Sequence, residues 1–168
     1  VVVDNGSGDN SIERIKSQIP ESELLALNRN YGFGVACNCA ISYILTQYPD
    51  CEFVLLLNND AIIGSDTIPN LLEAARLHPD VGVLGPKIYY LTPRDRIWYG
   101  GAERRRWVLA AKNTGRGTWD NGHSDSPRHV DYVFGAAMMI RRSVVEEIGG
   151  FDERFFLYLE DMDYCLRA

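Results

Sequence analysis

The chain has 168 residues, 46% of them apolar, which is one domain's length with enough hydrophobic material for a substantial core. Its 17 basic and 23 acidic side chains give a formal charge of −6 and a pI near 5.0, which argues against a nucleic-acid backbone as the main partner. No apolar stretch approaches the roughly 18 residues of a membrane span, and no signal peptide is expected.

Val1 to Val3 predict a short strand, followed by the turn-rich loop Asp4-Asn5-Gly6-Ser7-Gly8-Asp9. A weakly amphipathic helix is expected over Ser11 to Gln18, with Ile12, Ile15 and Ile19 as its apolar positions. Leu24 to Leu27 read as a second strand, and Asn28 to Gly34 as a loop rich in Asn and Gly. From Val35 to Gln47 the positions Ala36, Ala40, Tyr43, Ile44 and Gln47 recur at helical spacing. Phe53-Val54-Leu55-Leu56-Leu57 is a run of buried-type residues, the pattern of a central strand in a parallel sheet. A helix capped by Ser65 or Asp66 follows over Thr67 to about His78, with Pro69 tolerated in its first turn. Val81 to Leu84 begin a fourth strand. Strands alternating with helices at this spacing mean an α/β domain with a mostly parallel sheet.

Thr92 to Arg128 differ in character: they are rich in glycine and carry Trp98, Trp107, Trp119 and three consecutive arginines, Arg104, Arg105 and Arg106. The segment is too polar and irregular for another βα unit, and loops of this length are usually functional. The arginines read as a solvated charge run, with an anionic or sugar acceptor site as the rival reading. Val130 to Ile140 return to an extended pattern. Ser143-Val144-Val145-Glu146 has the form of a capping box, whose helix ends at Gly149-Gly150. After the aromatic stretch Phe151 to Leu159, Glu160-Asp161-Met162-Asp163 open a last helix running to Arg167. Cys37, Cys39, Cys51 and Cys165 form no CxxC pair and read as reduced structural thiols of an intracellular protein.

Three polar clusters stand where strands or connections end: Asp4-Asn5, Asn58-Asn59-Asp60 and Glu160-Asp161. Ligands of open α/β sheets bind outside the carboxyl ends of the strands. The clusters therefore fit a nucleotide-diphosphate site. Asp4 suits the imide N–H of a pyrimidine, Asn59 a ribose hydroxyl, and Asp60 a Mg²⁺ or Mn²⁺ ion that shares oxygen ligands with phosphates. Each piece also has a plain reading as a turn or a helix cap. The Gly-rich loop Asn30-Tyr31-Gly32-Phe33-Gly34 has the look of a phosphate cradle, yet no GK[ST] and no GxGxxG is present. An EF-hand is excluded because its DxDxDG loop is absent.

Val2-Val3-Asp4-Asn5-Gly6-Ser7, Asn28 to Gly34, Leu56 to Asp60, Gly149-Gly150-Phe151-Asp152-Glu153 and Phe155 to Arg167 occur here in a set order. Together they resemble the family 2 inverting glycosyltransferases of GT-A fold, in their rhamnosyltransferase-like branch. The resemblance implies a Rossmann-like sandwich built as one domain over residues 1–168, with a first strand and a C-terminal segment lying beyond the two ends. It implies a sugar transferase of the hexosyl or rhamnosyl type, drawing on a UDP- or dTDP-sugar and serving polysaccharide or glycolipid synthesis in the cell envelope. In that reading Asp4, Asn5, Gly32 and Asn59 hold the nucleotide, and Asp60 is the metal-binding carboxylate of a DxD-type motif. Asp161 of the ED motif is the general base of a single displacement, and Glu160 supports the acceptor site or Asp161 itself. The acceptor would be a saccharide or a lipid-linked sugar. A lipid-linked acceptor would bring a cytoplasmic protein to the inner face of the membrane as a peripheral partner.

The chain departs from that pattern at Asn58, which replaces the first carboxylate of a DxD. His123 and His129 do not match the family's downstream histidine and read as loop residues. Two other classes compete: a nucleotide- or carbohydrate-binding module without turnover, and a nucleotidyltransferase, whose basic Gly-rich signature loop is not found near residue 1.

Overall fold

The computed structural model describes residues 1–104, 111–122 and 126–168. Arg105, Arg106, Trp107 and His123 lie outside the described residues. Strand β1 (Val2–Asp4) pairs in parallel with β2 (Leu24–Ala26), Val2 opposite Leu24 and Asp4 opposite Ala26. Helix α1 (Ser11–Gln18) makes the crossover between them. Helix α2 (Phe33–Gln47) then packs against β1 and against β3 (Phe53–Leu57), so it ties the first strand pair to the rest of the molecule.

The mostly parallel sheet expected around β3 takes another form. After helix α3 (Thr67–Leu77), strand β4 (Val83–Leu84) runs in the same direction as β3 without pairing with it. The late strand β9 (Ala137–Arg141) inserts between the two and is antiparallel to both. Leu57 faces Ala137 across one ladder, and Val83 faces Ile140 across the other. An apolar run covered on both faces reads the same whichever way its neighbour runs, so the residues of β3 carried no sign of this.

The coverage of both faces follows from the alternation of side chains along a strand. Val54, Leu56, Met138 and Ile140 join Ile41, Phe151 and Tyr164 in one cluster. Met139 turns the opposite way, onto Leu71 and Ala75 of α3, with Phe53 and Leu55 packed beside it. Met138 and Ile140 have no exposed surface. Burying each contributes about 1.5–3 kcal/mol.

Thr92 to Arg128 form no βα unit among the described residues. They add β6 (Ile97–Tyr99), paired with β5 (Ile88–Tyr89), and β7 (Ala102–Arg104), paired with β8 (Ala111–Asn113). Arg104 is exposed at the end of β7. Of the extended stretch Val130 to Ile140, only the last residues enter the sheet.

The capping box at Ser143 is not formed. Helix α4 (Arg142–Ile148) starts directly from β9, with extended Arg141 in the cap position and no side-chain cap bond. Glu146 instead accepts from Arg142 Nε at 2.7 Å, an i,i+4 pair along the helix. The helix does end at Gly149, whose φ of 77° is left-handed and suits glycine. Helix α5 (Glu160–Arg167) closes the described fold and packs against α2.

Candidate functional site

Asp4 is the last residue of β1 and is buried, with its Oδ2 accepting the Ser7 N–H at 3.0 Å. That bond closes the turn after the strand and leaves the carboxylate at the strand's carboxyl end. Asn5 works across 25 to 27 residues. Its Oδ1 accepts the Tyr31 N–H at 3.0 Å, and its Nδ2 donates to Asn30 Oδ1 and to the Gly32 carbonyl, each at 3.0 Å. Both ends of the Asn5 amide thus fasten the Asn28 to Gly34 loop to β1.

Gly32 stands where backbone meets backbone. Its φ is 90°, and a Cβ there would lie 2.3 Å from the Phe156 carbonyl oxygen. The N–H of Gly32 donates to Asn30 Oδ1 at 2.9 Å, and that of Phe33 donates to the Phe156 carbonyl at 3.1 Å. The first two N–H groups of the Gly-rich loop's end are therefore engaged within the protein. The loop fixes the approach of α2 to the Phe155–Leu159 stretch.

Asn58-Asn59-Asp60 leave β3 as a turn closed by the Ala61 N–H on the Asn58 carbonyl at 3.1 Å. Asn59 and Asp60 are exposed at its tip. The turn is anchored by the Asn58 N–H, which donates to the Ala136 carbonyl at 3.0 Å. Among the described residues no group of three His, Cys, Asp or Glu side chains could hold a metal ion. One exposed carboxylate with two amides beside it fits a hard cation held jointly by Asp60 and ligand phosphates, the usual manner of Mg²⁺.

Asp161 occupies the first turn of α5 and is 7% exposed. Its Oδ2 accepts the Tyr132 hydroxyl at 2.7 Å and the Gly135 N–H at 2.9 Å, while its Oδ1 accepts the Met162 N–H at 2.9 Å. The fit at Gly135 is tight. A Cβ would lie 3.3 Å from Asp161 Oδ2 and from the Phe33 ring. Burial, then the charge and hydrogen bond of Asp161, push the Tyr132 hydroxyl well above the ordinary tyrosine range, so it remains a donor. The Tyr99 hydroxyl donates to the Tyr132 carbonyl, and the rings of Tyr99, Tyr132 and Phe134 meet at about 6 Å.

Glu160 makes no hydrogen bond to Asp161. It is 5% exposed, its Oε2 is buried without a partner, and a Cβ on Gly34 of α2 would lie 3.9 Å from its own Cβ. Burial, with the Asp161 charge adding to it, raises its carboxyl above the usual range. Immediately before it, Tyr158 and Leu159 have φ of 70° and 72°. Two consecutive left-handed residues with side chains are strained, a feature that clusters at functional sites. Cys37 and Cys165 are pushed up to about 12, chiefly by burial, which fits the structural reading of these thiols.

The Asn58-Asn59-Asp60 and Glu160-Asp161 clusters are joined through backbone. Gly135 holds Asp161, and its neighbour Ala136 holds Asn58, so the Asp60 turn and the Asp161 carboxylate flank one segment. Asn5, next to Asp4, reaches the stretch before Glu160 by another route, through Gly32 and Phe156. β1, which ends in Asp4, and β3, which leads to Asp60, are not paired in one ladder among the described residues. The sequence reading passed over Tyr132, Gly135 and Tyr99. The one signal was Gly135 set between an aromatic pair and a buried strand, a place where backbone must come close to something.

Residues 1–149 match the sequence profile described as Glycosyl transferase family 2. The matched stretch ends before α5. Across 97% of its length the chain is 28% identical to the N-acetylglucosaminyl-diphospho-decaprenol L-rhamnosyltransferase of Mycobacterium tuberculosis, covering 58% of that protein. It is 29% identical over its whole length to the low-salt glycan biosynthesis hexosyltransferase Agl10 of Haloferax volcanii, covering 52%. Over 82% of the chain it is 27% identical to rhamnosyltransferase WbbL of Escherichia coli, covering 54%. It thus spans about half the length of these curated relatives. A similar fold is found in the crystal structure of A197 from STIV, with a TM-score of 0.51 at 18% identity over 97% of this chain and 73% of that one. With most of its length inside the family profile, the chain belongs to Glycosyl transferase family 2.

Proposed function

We propose that the protein transfers a sugar from a UDP- or dTDP-sugar to an acceptor hydroxyl, with inversion at the anomeric carbon and Asp161 as general base. One observation carries this reading. The Asp161 carboxylate is oriented by Gly135, whose neighbour Ala136 anchors the turn that bears Asp60. A base on one side and a cation ligand on the other are what a single displacement needs, because no enzyme-bound intermediate forms. Asp4 receives the base and Asn59 the ribose, while Asn5 and Gly32 hold the loop that backs the nucleotide. Asp60 would hold Mg²⁺ or Mn²⁺ together with the diphosphate. When bound, that ion offsets charge on the leaving group. Glu160, packed beside Gly34 of α2, supports the wall of the acceptor side.

The names of the relatives favour a rhamnosyl or hexosyl donor and a glycan or lipid-diphosphate acceptor in cell-envelope polysaccharide synthesis. A lipid-linked acceptor would bring the protein to the membrane surface as a peripheral partner. None of the helices among the described residues is long and apolar enough to cross a membrane. A binding module without turnover is the second reading, favoured by Asn58 in place of a carboxylate.

The test is a thermal-shift screen of UDP, dTDP and their sugars, with and without Mn²⁺, followed by a transfer assay. The transferase reading expects stabilisation by one nucleotide that grows with Mn²⁺, since a ligand that binds the folded state stabilises it by mass action. Stabilisation without any transfer or hydrolysis would favour the binding module. No response to any nucleotide would sink the transferase and leave only a carbohydrate-binding module.

A further inference from the structure

We propose that Tyr132 is the positioning residue of the transfer step and that Oδ1 of Asp161 is the oxygen that takes the acceptor's proton. The inference rests on the reading of Asp161 as general base and adds to it an atom and a second residue. A carboxylate oxygen offers two lone-pair directions. On Oδ2 both are engaged, one by the Tyr132 hydroxyl at 2.7 Å and one by the Gly135 N–H at 2.9 Å. On Oδ1 the Met162 N–H at 2.9 Å engages one, and among the described residues no donor takes the other. The proton therefore passes from the acceptor hydroxyl to Oδ1. The acceptor oxygen bonds to the anomeric carbon as the bond from that carbon to the diphosphate oxygen breaks, and its electron pair leaves with the diphosphate.

Tyr132 is the side chain that sets this division of labour. The Gly135 and Met162 donors are backbone groups, whereas the Tyr132 hydroxyl is, among the described residues, the one side-chain donor that fixes the rotation of the carboxylate about its own axis. Tyr132 is in turn held from two sides. Its carbonyl accepts the Tyr99 hydroxyl, and its ring stands edge-on to those of Tyr99 and Phe134, at 80° and 76°. The β6 strand, within the segment that reads as irregular in sequence, thereby helps to aim the base.

Tyr132→Phe in the full-length protein keeps the ring and removes the donor. The readout is release of nucleoside diphosphate from a panel of UDP- and dTDP-sugars, with Asp161→Asn and Tyr99→Phe run in parallel and the melting temperature of each variant recorded. The expected result is a kcat lowered by about tenfold to a hundredfold in Tyr132→Phe, the scale of one hydrogen bond to a charged group. Donor KM should stay within about twofold of wild type, a split that loosened packing would not give. Tyr99→Phe should cost no more than about threefold, because the hydroxyl on Asp161 survives. Wild-type kcat in Tyr132→Phe, beside an inactive Asp161→Asn, would overturn this inference and leave the base in place. An equal loss in Tyr99→Phe and Tyr132→Phe would assign the effect to the aromatic cluster and overturn it also. Turnover retained in Asp161→Asn, or no release from any sugar of the panel, would remove the base and this inference together.

Discussion

The two halves of the candidate site are built on opposite plans. On the proposed nucleotide side, polar side chains bind one another: Asn5 fastens Asn30, Tyr31 and Gly32, and Asp60 stands exposed at the tip of a turn. On the Asp161 side, a nearly buried carboxylate takes three donors and sits in a wall of aromatic rings. On the proposed reading the first side would be completed by a ligand and its cation, whereas the Asp161 carboxylate is already held by three donors within the protein. Orienting charged groups in advance is what makes them effective in a transition state, since nothing need reorganise during the reaction.

If that contrast holds, damage on the second side should fall on turnover and damage on the first side on binding. Asp161→Asn keeps the shape and removes the proton acceptor. It is expected to lower kcat by about 10²–10⁴, the contribution of a positioned base, with nucleotide affinity intact in a thermal-shift titration. A variant as active as wild type would mean that the base lies elsewhere. Gly32→Ala attacks the joint between the two sides. Its Cβ would meet the Phe156 carbonyl at 2.3 Å in a backbone region that side chains avoid. The expected loss is about 1–3 kcal/mol of stability, read as a Tm lower by about 2–4 °C for each kcal/mol. An unchanged Tm would show that the loop is free of the Phe155–Leu159 stretch. Asp60→Ala should leave Tm alone and weaken nucleotide binding in Mn²⁺ by about tenfold, with little change in its absence, as expected when the cation bridges protein and phosphates. Equal weakening in both conditions would deny Asp60 a metal.

These expectations lean unevenly on what the sequence makes visible. The bounds of α1, β3 and α5 follow from periodicity and from polar residues at their ends, and Asn58-Asn59-Asp60 is legible as the turn after a buried strand. The direction of β9 is not legible, because Met138, Met139 and Ile140 are buried on both faces and lack the alternation that marks a half-exposed strand. The donors on Asp161 are hidden for another reason. Tyr132 and Gly135 lie 29 and 26 residues upstream, on a connection with no period, and only the fold brings them to the carboxylate. Ser143 shows the opposite failure, a local motif overridden when α4 grew straight out of β9.

Glu160 gives the smallest effect and the cleanest check on how closed the Asp161 side is. Its Oε2 is buried without a partner, and burial, with the Asp161 charge behind it, raises its carboxyl above the ordinary glutamate range. An acid raised in the folded state holds its proton more tightly there than in the unfolded chain. Its contribution is therefore fully present below the unfolded value and is lost as pH rises through the folded one. At neutral pH, Glu160→Gln should be slightly more stable than wild type. As pH falls below the ordinary glutamate range the two melting temperatures should converge, because wild-type Glu160 is then neutral in both states. A Tm difference that stayed constant from pH 4 to pH 8 would mean that Glu160 reaches water or a cation when the protein is in solution. The Asp161 side would then be as open as the nucleotide side.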